Sequence, residues 1–437
     1  MQDVDLRRFF LLALPAMGAA LLNNAYRIVD QFMIKWLGFE AQAAIGSSTF
    51  VLIAAYALFQ ISAGGVTPLF SQSIGAQNTK SIKQLGIDAI NYSLFIGLVF
   101  SITLWFFSLE IAFSVGLEGQ SAVLMSDYLF YLAPFGILFA LGPTVDALFI
   151  ASGNTIYPMK LEIISTILNI VLNWLLIYEL QLGLPGAAIA SGMSRFVSIV
   201  GLIRLIKDFD ISVTVPKRIF DITMLGIPIM LGTLCFALVY FALLRWVVSP
   251  LGASANAALG IGFSAIEGAC WPIYSGMMVA LSSVIGRQIG AKRIDLCIKT
   301  IKMMFPTAAG IGLLLGMTMI IFAEPICTQF SLNPQTTEQA VSYCQIIGLS
   351  QCFVAVEALC EGFYIGSGRT MVLFLTSTPI NILRIPVGWF LAHQCQWGVD
   401  GVWWAITTTT VLKTIIRSAM VVFILKDLTS KSQRKEQ

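Results

Sequence analysis

The chain has 437 residues, 57% of them hydrophobic and only 11% charged, where an ordinary soluble domain is about a quarter charged. Its 26 basic and 23 acidic side chains, net charge +3, are too few to cover a water-facing surface of this size. Disordered, fibrous and disulfide-rich secreted chains are excluded with it, which leaves a multi-span membrane protein.

Twelve helices of about 23 residues each would use roughly 276 positions, leaving connections and tails but no soluble domain. Hydropathy places these spans, in chain order, at 9–36, 45–72, 86–110, 124–150, 157–179, 184–206, 219–248, 257–285, 298–323, 339–366, 371–393 and 400–425. The first runs from Phe9 through Trp36, too long for the apolar region of a signal peptide, so no cleavable signal is expected.

Ionisable groups inside a span cost several kcal/mol each, so each is read first as functional. In the first span Asn23, Arg27 and Asp30 follow i, i+4, i+7 spacing and share one helix face. Pro15 removes a backbone hydrogen bond and supplies a bend point roughly 22 Å before Asp30. A protonatable acid on a helix able to bend is a switch; the alternative is an Arg27–Asp30 ion pair that neutralises both. In span 4, Asp146 precedes a cytoplasmic loop. Asn169 and Asn173 in span 5 and Ser191 in span 6 offer neutral oxygens near Asp30, or hydrogen-bond between helices.

The longest polar interval, Lys207 to Arg218, links span 6 to span 7. Glu267 lies mid-span in Gly262-Phe-Ser-Ala-Ile-Glu-Gly268, and serves either function or packing. Glu357 and Glu361 share a face of span 10; Glu361 corresponds to Asp146, and common scaffolding explains that pair as simply as function. Arg195, Arg245, Arg384, Lys413 and Arg417 also fall within spans, to snorkel or to line a polar cavity. His393, the one histidine, sits at an outer helix end, where a proton-relay role is not expected. The eight cysteines lie between Cys235 and Cys395 without a CxxC pair, and read as small packing residues.

Asp146-Ala-Leu-Phe-Ile-Ala-Ser-Gly-Asn-Thr155 returns as Glu361-Gly-Phe-Tyr-Ile-Gly-Ser-Gly-Arg-Thr370. Leu14-Pro15 pairs with Ile227-Pro228, Leu37-Gly38 with Leu251-Gly252, Ser73-Ile-Gly-Ala76 with Gln288-Ile-Gly-Ala291, and Gly186 with Gly401, all at offsets of 213 to 215. Collinear matches at one offset mean a duplication. Six spans per repeat is an even number, so both repeats start on the same side. The expected fold is all-α: two six-helix lobes, 1–210 and 211–437, related by a pseudo-twofold axis along the membrane normal, with a central cleft.

Nineteen of the 26 basic residues fall on one side of this arrangement, while Glu110, Glu118, Glu179, Glu324, Glu338 and Asp400 fall on the other. The positive-inside rule then puts both termini in the cytoplasm. One histidine and no GxxxxGK[ST] loop leave no material for hydrolytic machinery or direct ATP use, so an ion gradient is the expected energy source.

Leu14-Pro15, Tyr26-Arg-Ile-Val-Asp30, Lys35-Trp-Leu-Gly38, Ser71-Gln-Ser-Ile-Gly-Ala-Gln77, Ile266-Glu267 and Val284-Ile-Gly-Arg-Gln-Ile-Gly-Ala291, with the two SGxT segments, resemble MATE (multidrug and toxic compound extrusion) transporters along essentially the whole chain. Ile266-Glu267, without an acid in helix seven, looks more like the DinF-type branch than the NorM-type. The resemblance implies a multi-pass plasma (cell inner) membrane antiporter exchanging H⁺ or Na⁺ for small amphipathic or cationic compounds by alternating access. It implies a monomer in the lipid bilayer, with no nucleic-acid partner, no catalytic residues and no cofactor beyond the coupling ion. Asp30 matches the family's coupling acid, Pro15 its bending proline, and Asn169 and Ser191 polar positions of an amino-lobe ion site. Asn173 stands where several relatives have aspartate and Arg27 where a neutral residue is usual, which leaves at most a weak Na⁺ site at Asp30. Asn23, Arg27, Glu267, Glu357, Glu361 and Asp146 are the cleft or substrate candidates. A lipid-linked oligosaccharide flippase of the same superfamily is the alternative, its phosphate met by the intramembrane arginines.

Overall fold

A computed structural model describes residues 5–34, 37–211, 215–331 and 333–436, with side chains described there except at 25–32, 39, 264, 265 and 431–436. Among the described residues every regular element is helical. Only a helix closes all its backbone hydrogen bonds within one segment, as a chain this apolar requires in hydrocarbon. Among the described residues eleven helices are long and apolar enough to span a bilayer, and a bent pair counted as one span makes a twelfth.

Spans 1 to 6 comprise Leu6–Ile34, Phe39–Gly75, Thr79–Ser114, Gly119–Ser152, Ile156–Glu179 and Gly183–Phe209. Spans 7 to 9 comprise Ile219–Leu251, Ala253–Gly290 and Ile294–Ile321. Span 10 is Pro334–Gly348 joined to Gln351–Ser367 at a 58° bend, and Thr370–Gln394 and Gly398–Ser430 are spans 11 and 12. Each predicted span overlaps one of these; residues 35 and 36 of the first lie outside the described residues. The helices run further than hydropathy predicts, as at Thr79 against 86, because helical backbone continues through polar side chains beyond the apolar stretch.

The chain forms two compact units: residues 18–230, and 231–437 together with 1–17. These are not the two sequence repeats, since spans 1 and 7 each contribute their first part to the other repeat's unit. Glycines make this possible. A Cβ on Gly226 of span 7 would lie 2.0 Å from the Ile61 carbonyl oxygen of span 2, and one on Gly65 would lie 2.1 Å from that of Ile222. Backbones this close leave no space for any side chain. The other unit is centred on Tyr274, Tyr343, Tyr364 and Trp403, each fully buried, with Tyr343 edge-on to Trp403 at 4.9 Å. None of the eight cysteines is disulfide-bonded in this structure, and five of them are buried, as packing residues would be.

The connection between the repeats is held by Asp88, a fully buried acid on span 3. Its Oδ2 accepts the backbone N–H groups of Lys217 (3.1 Å) and Arg218 (2.8 Å), and its Oδ1 accepts from Gln84 (2.8 Å). Gln84 also donates to the Val215 carbonyl, and Lys83 to Asp210. The Lys83 hydrogen bond and charge hold the Asp210 carboxyl below the usual carboxylate range. The carboxylate of Asp88 thus meets two amides at the start of span 7, where the helix dipole favours negative charge. At the equivalent position of the second repeat, 215 residues on, stands Met303. Asp88→Ala orphans those amides and is expected to cost about 2–3 kcal/mol, read as a lower melting temperature in detergent. Asp88→Asn, which keeps an acceptor oxygen, should fall between.

Candidate functional site

Two groups of ionisable side chains lie inside the units. The first, in residues 18–230, surrounds a cavity of about 150 Å³ lined by Asn23, Asp146, Glu162, Ser165, Arg195 and Ser198 among others. Local sequence explains how each gets there. Pro143 sits inside the span 4 helix one turn before Asp146. Span 6 breaks after Ser194, and Arg195 is the residue at the break. A cation is favoured at this helix C-terminus. Its guanidinium carbon lies 5.7 Å above the Phe139 ring, and its Nη1 lies 3.3 Å from Glu162 Oε2. Glu162 Oε1 in turn accepts from Asn23 Nδ2 of span 1 at 3.4 Å. Asp146 makes no hydrogen bond or ion pair among the described residues. Among the described residues, two carboxylates and one guanidinium line this cavity.

Asn169, Asn173 and Ser191 do come together. Asn173 Nδ2 donates to Asn169 Oδ1 at 3.1 Å, and Asn169 Nδ2 to Ser191 Oγ at 3.5 Å, all three buried. Ser194, on the same helix, takes the Ser165 hydroxyl on its carbonyl at 3.1 Å. Arg27 and Asp30 lie in the span 1 helix, but their side chains are outside the described residues. Pro15 is inside that helix, three residues before the boundary between the units.

The second group lies in residues 231–437. Glu357 Oε1 is 2.9 Å from both Lys413 Nζ and Arg417 Nη1, and Glu361 Oε2 is 3.8 Å from the same Arg417 atom. Lys413 also donates to Asn381 at 3.1 Å, and Arg417 to Ser377. Arg384, buried, donates to Thr409, Thr410 and Tyr240 at 2.9 to 3.2 Å. Glu267 accepts from the Tyr343 hydroxyl at 2.7 Å, at the end of the π-helical segment Gly260–Glu267. Among the described residues this unit thus holds two acids paired with two cations, an acid bonded to a tyrosine and an arginine bonded to hydroxyl groups. Arg245, by contrast, is exposed, as a snorkelling residue would be.

The repeat organises both groups. Asp146 and Glu361 are the one acid position they share; at the same 215-residue offset Glu162 corresponds to Ser377, Arg195 to Thr410, Ser198 to Lys413 and Asn169 to Arg384. π-helical turns also recur at corresponding places, Trp174–Glu179 in span 5 and Phe390–Gln394 in span 11. Glu162 is the residue that sequence reasoning misses, since near the start of span 5 it reads as interfacial. Its absence from the corresponding position of the second repeat was the available signal. Glu357→Ala leaves Lys413 and Arg417 without their shared acid and is expected to cost about 3–5 kcal/mol. Thermal unfolding in detergent measures this, and adding Lys413→Met should recover part of the loss.

The MatE family model matches the chain twice, over residues 15–175 and 228–390. The two matches start 213 residues apart and end 215 apart, the spacing of the internal repeat. The chain is 24% identical to the probable multidrug resistance protein NorM of Thermotoga maritima, over 93% of this chain and 90% of that one. It is also 24% identical to the probable multidrug resistance protein YoeA of Bacillus subtilis, over 91% and 89%. A MOP superfamily transporter from Pyrococcus furiosus superposes with a TM-score of 0.90, covering 97% of this chain and 96% of that one at 20% identity. With its family model matched in both repeats, this chain belongs to the MatE family.

Proposed function

We propose that the protein is a cation-coupled antiporter, not an enzyme, which exports small amphipathic or cationic organic compounds by alternating access. It works as a monomer in the plasma (cell inner) membrane with both termini cytoplasmic. H⁺ or Na⁺ is the only cofactor, and no nucleic acid is involved. Family membership supports the transporter class, and the multidrug resistance names of the Thermotoga and Bacillus relatives support the substrate class.

The coupling reading rests on one observation above the rest, the reach of Asn23 to Glu162. It turns one face of span 1 toward the acid-rich cavity of spans 4 to 6. Asp30 is seven residues on, two helical turns along that face. The neutral oxygens of Asn169, Asn173 and Ser191 are buried in the same unit. In this reading a cation or proton is taken up at Asp30, in the unit that also holds Asp146, Glu162 and Arg195. Span 1 then bends at Pro15, and substrate and ion occupy the transporter alternately. The lipid-linked oligosaccharide flippase is less favoured, because its phosphate needs free cations. Arg384 is surrounded by hydroxyl acceptors, and Lys413 and Arg417 share Glu357.

Proteoliposomes under an imposed pH or Na⁺ gradient test the proposal. Asp30→Asn should abolish gradient-driven efflux of a fluorescent organic cation while leaving the melting temperature and substrate binding intact; normal efflux in this variant removes Asp30 from the coupling role. Arg27→Ala should accelerate proton-coupled efflux if Arg27 restrains Asp30, whereas unchanged coupling would confine Arg27 to a structural role. If neither gradient drives organic-cation transport but a lipid-linked oligosaccharide crosses, the flippase reading replaces the exporter.

A further inference from the structure

Cys327 ends the short helix Ala323–Cys327 that follows span 9, and Cys344 lies in the first half of span 10, Pro334–Gly348. Both are fully buried, and their sulfurs stand 3.7 Å apart. A disulfide bond is about 2.05 Å long, so each sulfur needs to move by only about 0.8 Å to form one. The corresponding positions of the first repeat, 215 residues earlier, are Ala112 and Leu129, also fully buried. The hairpin therefore packs without sulfur, and facing thiols are an addition made by the second repeat. Between Lys302 and Arg369 there is no lysine or arginine, while Glu324 and Glu338 flank the turn. By the positive-inside rule this is an outer turn, and the outer compartment is the oxidising one.

We propose that Cys327 and Cys344 form an intramolecular disulfide that fastens the outer end of the span 9–10 hairpin. The inference rests on the topology given under the proposed function. The oxidant is a thiol–disulfide exchange partner of the outer compartment, RS–SR. The thiolate of one cysteine attacks it, forming a mixed disulfide and releasing one RSH. The second cysteine then displaces the other RSH, so two electrons and two protons pass to the oxidant. Because both sulfurs are buried in the folded chain, exchange takes place as the hairpin emerges, before the short helix packs on span 10. The bond closes a 17-residue separation, and the other six cysteines remain thiols.

Membranes dissolved in SDS with excess N-ethylmaleimide, then reduced and treated with polyethylene-glycol maleimide, report only cysteines that were oxidised. Wild type should gain two adducts, and Cys327→Ser and Cys344→Ser none. No adduct in wild type overturns the proposal, as does a pair of adducts that survives Cys327→Ser. The side of the membrane is read separately, from the exposed Gln329. Gln329→Cys, placed with Cys327→Ser, Cys344→Ser and Cys395→Ser, should react with an impermeant maleimide on intact cells. If it does and wild type gains no adduct, the disulfide alone fails. If it reacts only in opened membranes, the topology fails and takes the disulfide with it.

Discussion

A charge inside a bilayer has no water to turn to, so whatever neutralises it must come from the helices packed around it. Both units follow this constraint but meet it differently. In residues 231–437, Glu357 takes two cations at 2.9 Å, Arg417 reaches a second acid, and Arg384 is clothed in hydroxyl groups. A network this complete fixes the helices that carry it, because removing one member strands the others. In residues 18–230, Arg195 pairs with Glu162 beside a cavity large enough for water, which Asp146 also lines. There, among the described residues, Asp146 has no ion-pair partner.

The duplication makes the contrast sharper. The two halves of the chain share prolines, glycine turns and SGxT segments, so they build the same helices. Around the common acid position, however, the ionisable residues sit at different offsets. Serine in one repeat faces lysine in the other, and asparagine faces arginine. The scaffold was copied once, and the interiors then diverged by substitutions at positions already pointing inward. Asp88 belongs to the same contrast: it ties down the first helix of the second repeat, while Met303 stands at the equivalent position of that repeat.

The spans, the repeat and the intramembrane charges were legible in the sequence because each is a one-dimensional signal: apolar length, fixed offset, or a costly residue in an apolar run. Asn169, Asn173 and Ser191 could be grouped because two of them lie a helical turn apart. Glu162 and Arg195 are 33 residues apart, and only the packing of spans 5 and 6, with the break at Arg195, makes them partners. The π-helical turns were equally hidden, since residues such as Leu244–Val248 read as ordinary apolar helix. The exchange of the first parts of spans 1 and 7 between units also left only an oblique trace, in glycines that look unremarkable until the facing carbonyls are known.

These features bear on where coupling belongs. A site that takes up and releases a cation must be stable with the cation and without it, so its own charges cannot be fully matched in both states. The interior of residues 231–437 has three acids against three bases, most of them within hydrogen-bonding distance of a partner, and an added cation would have to displace a lysine or an arginine. Among its described residues the cavity of residues 18–230 has two acids and one arginine, with neutral oxygens in the same unit and a side chain of the proline-containing first span reaching one of its acids. On the exporter reading the two interiors therefore divide the work. One holds its helices rigid through paired charge, and the other, reached by the first span, takes up the ion.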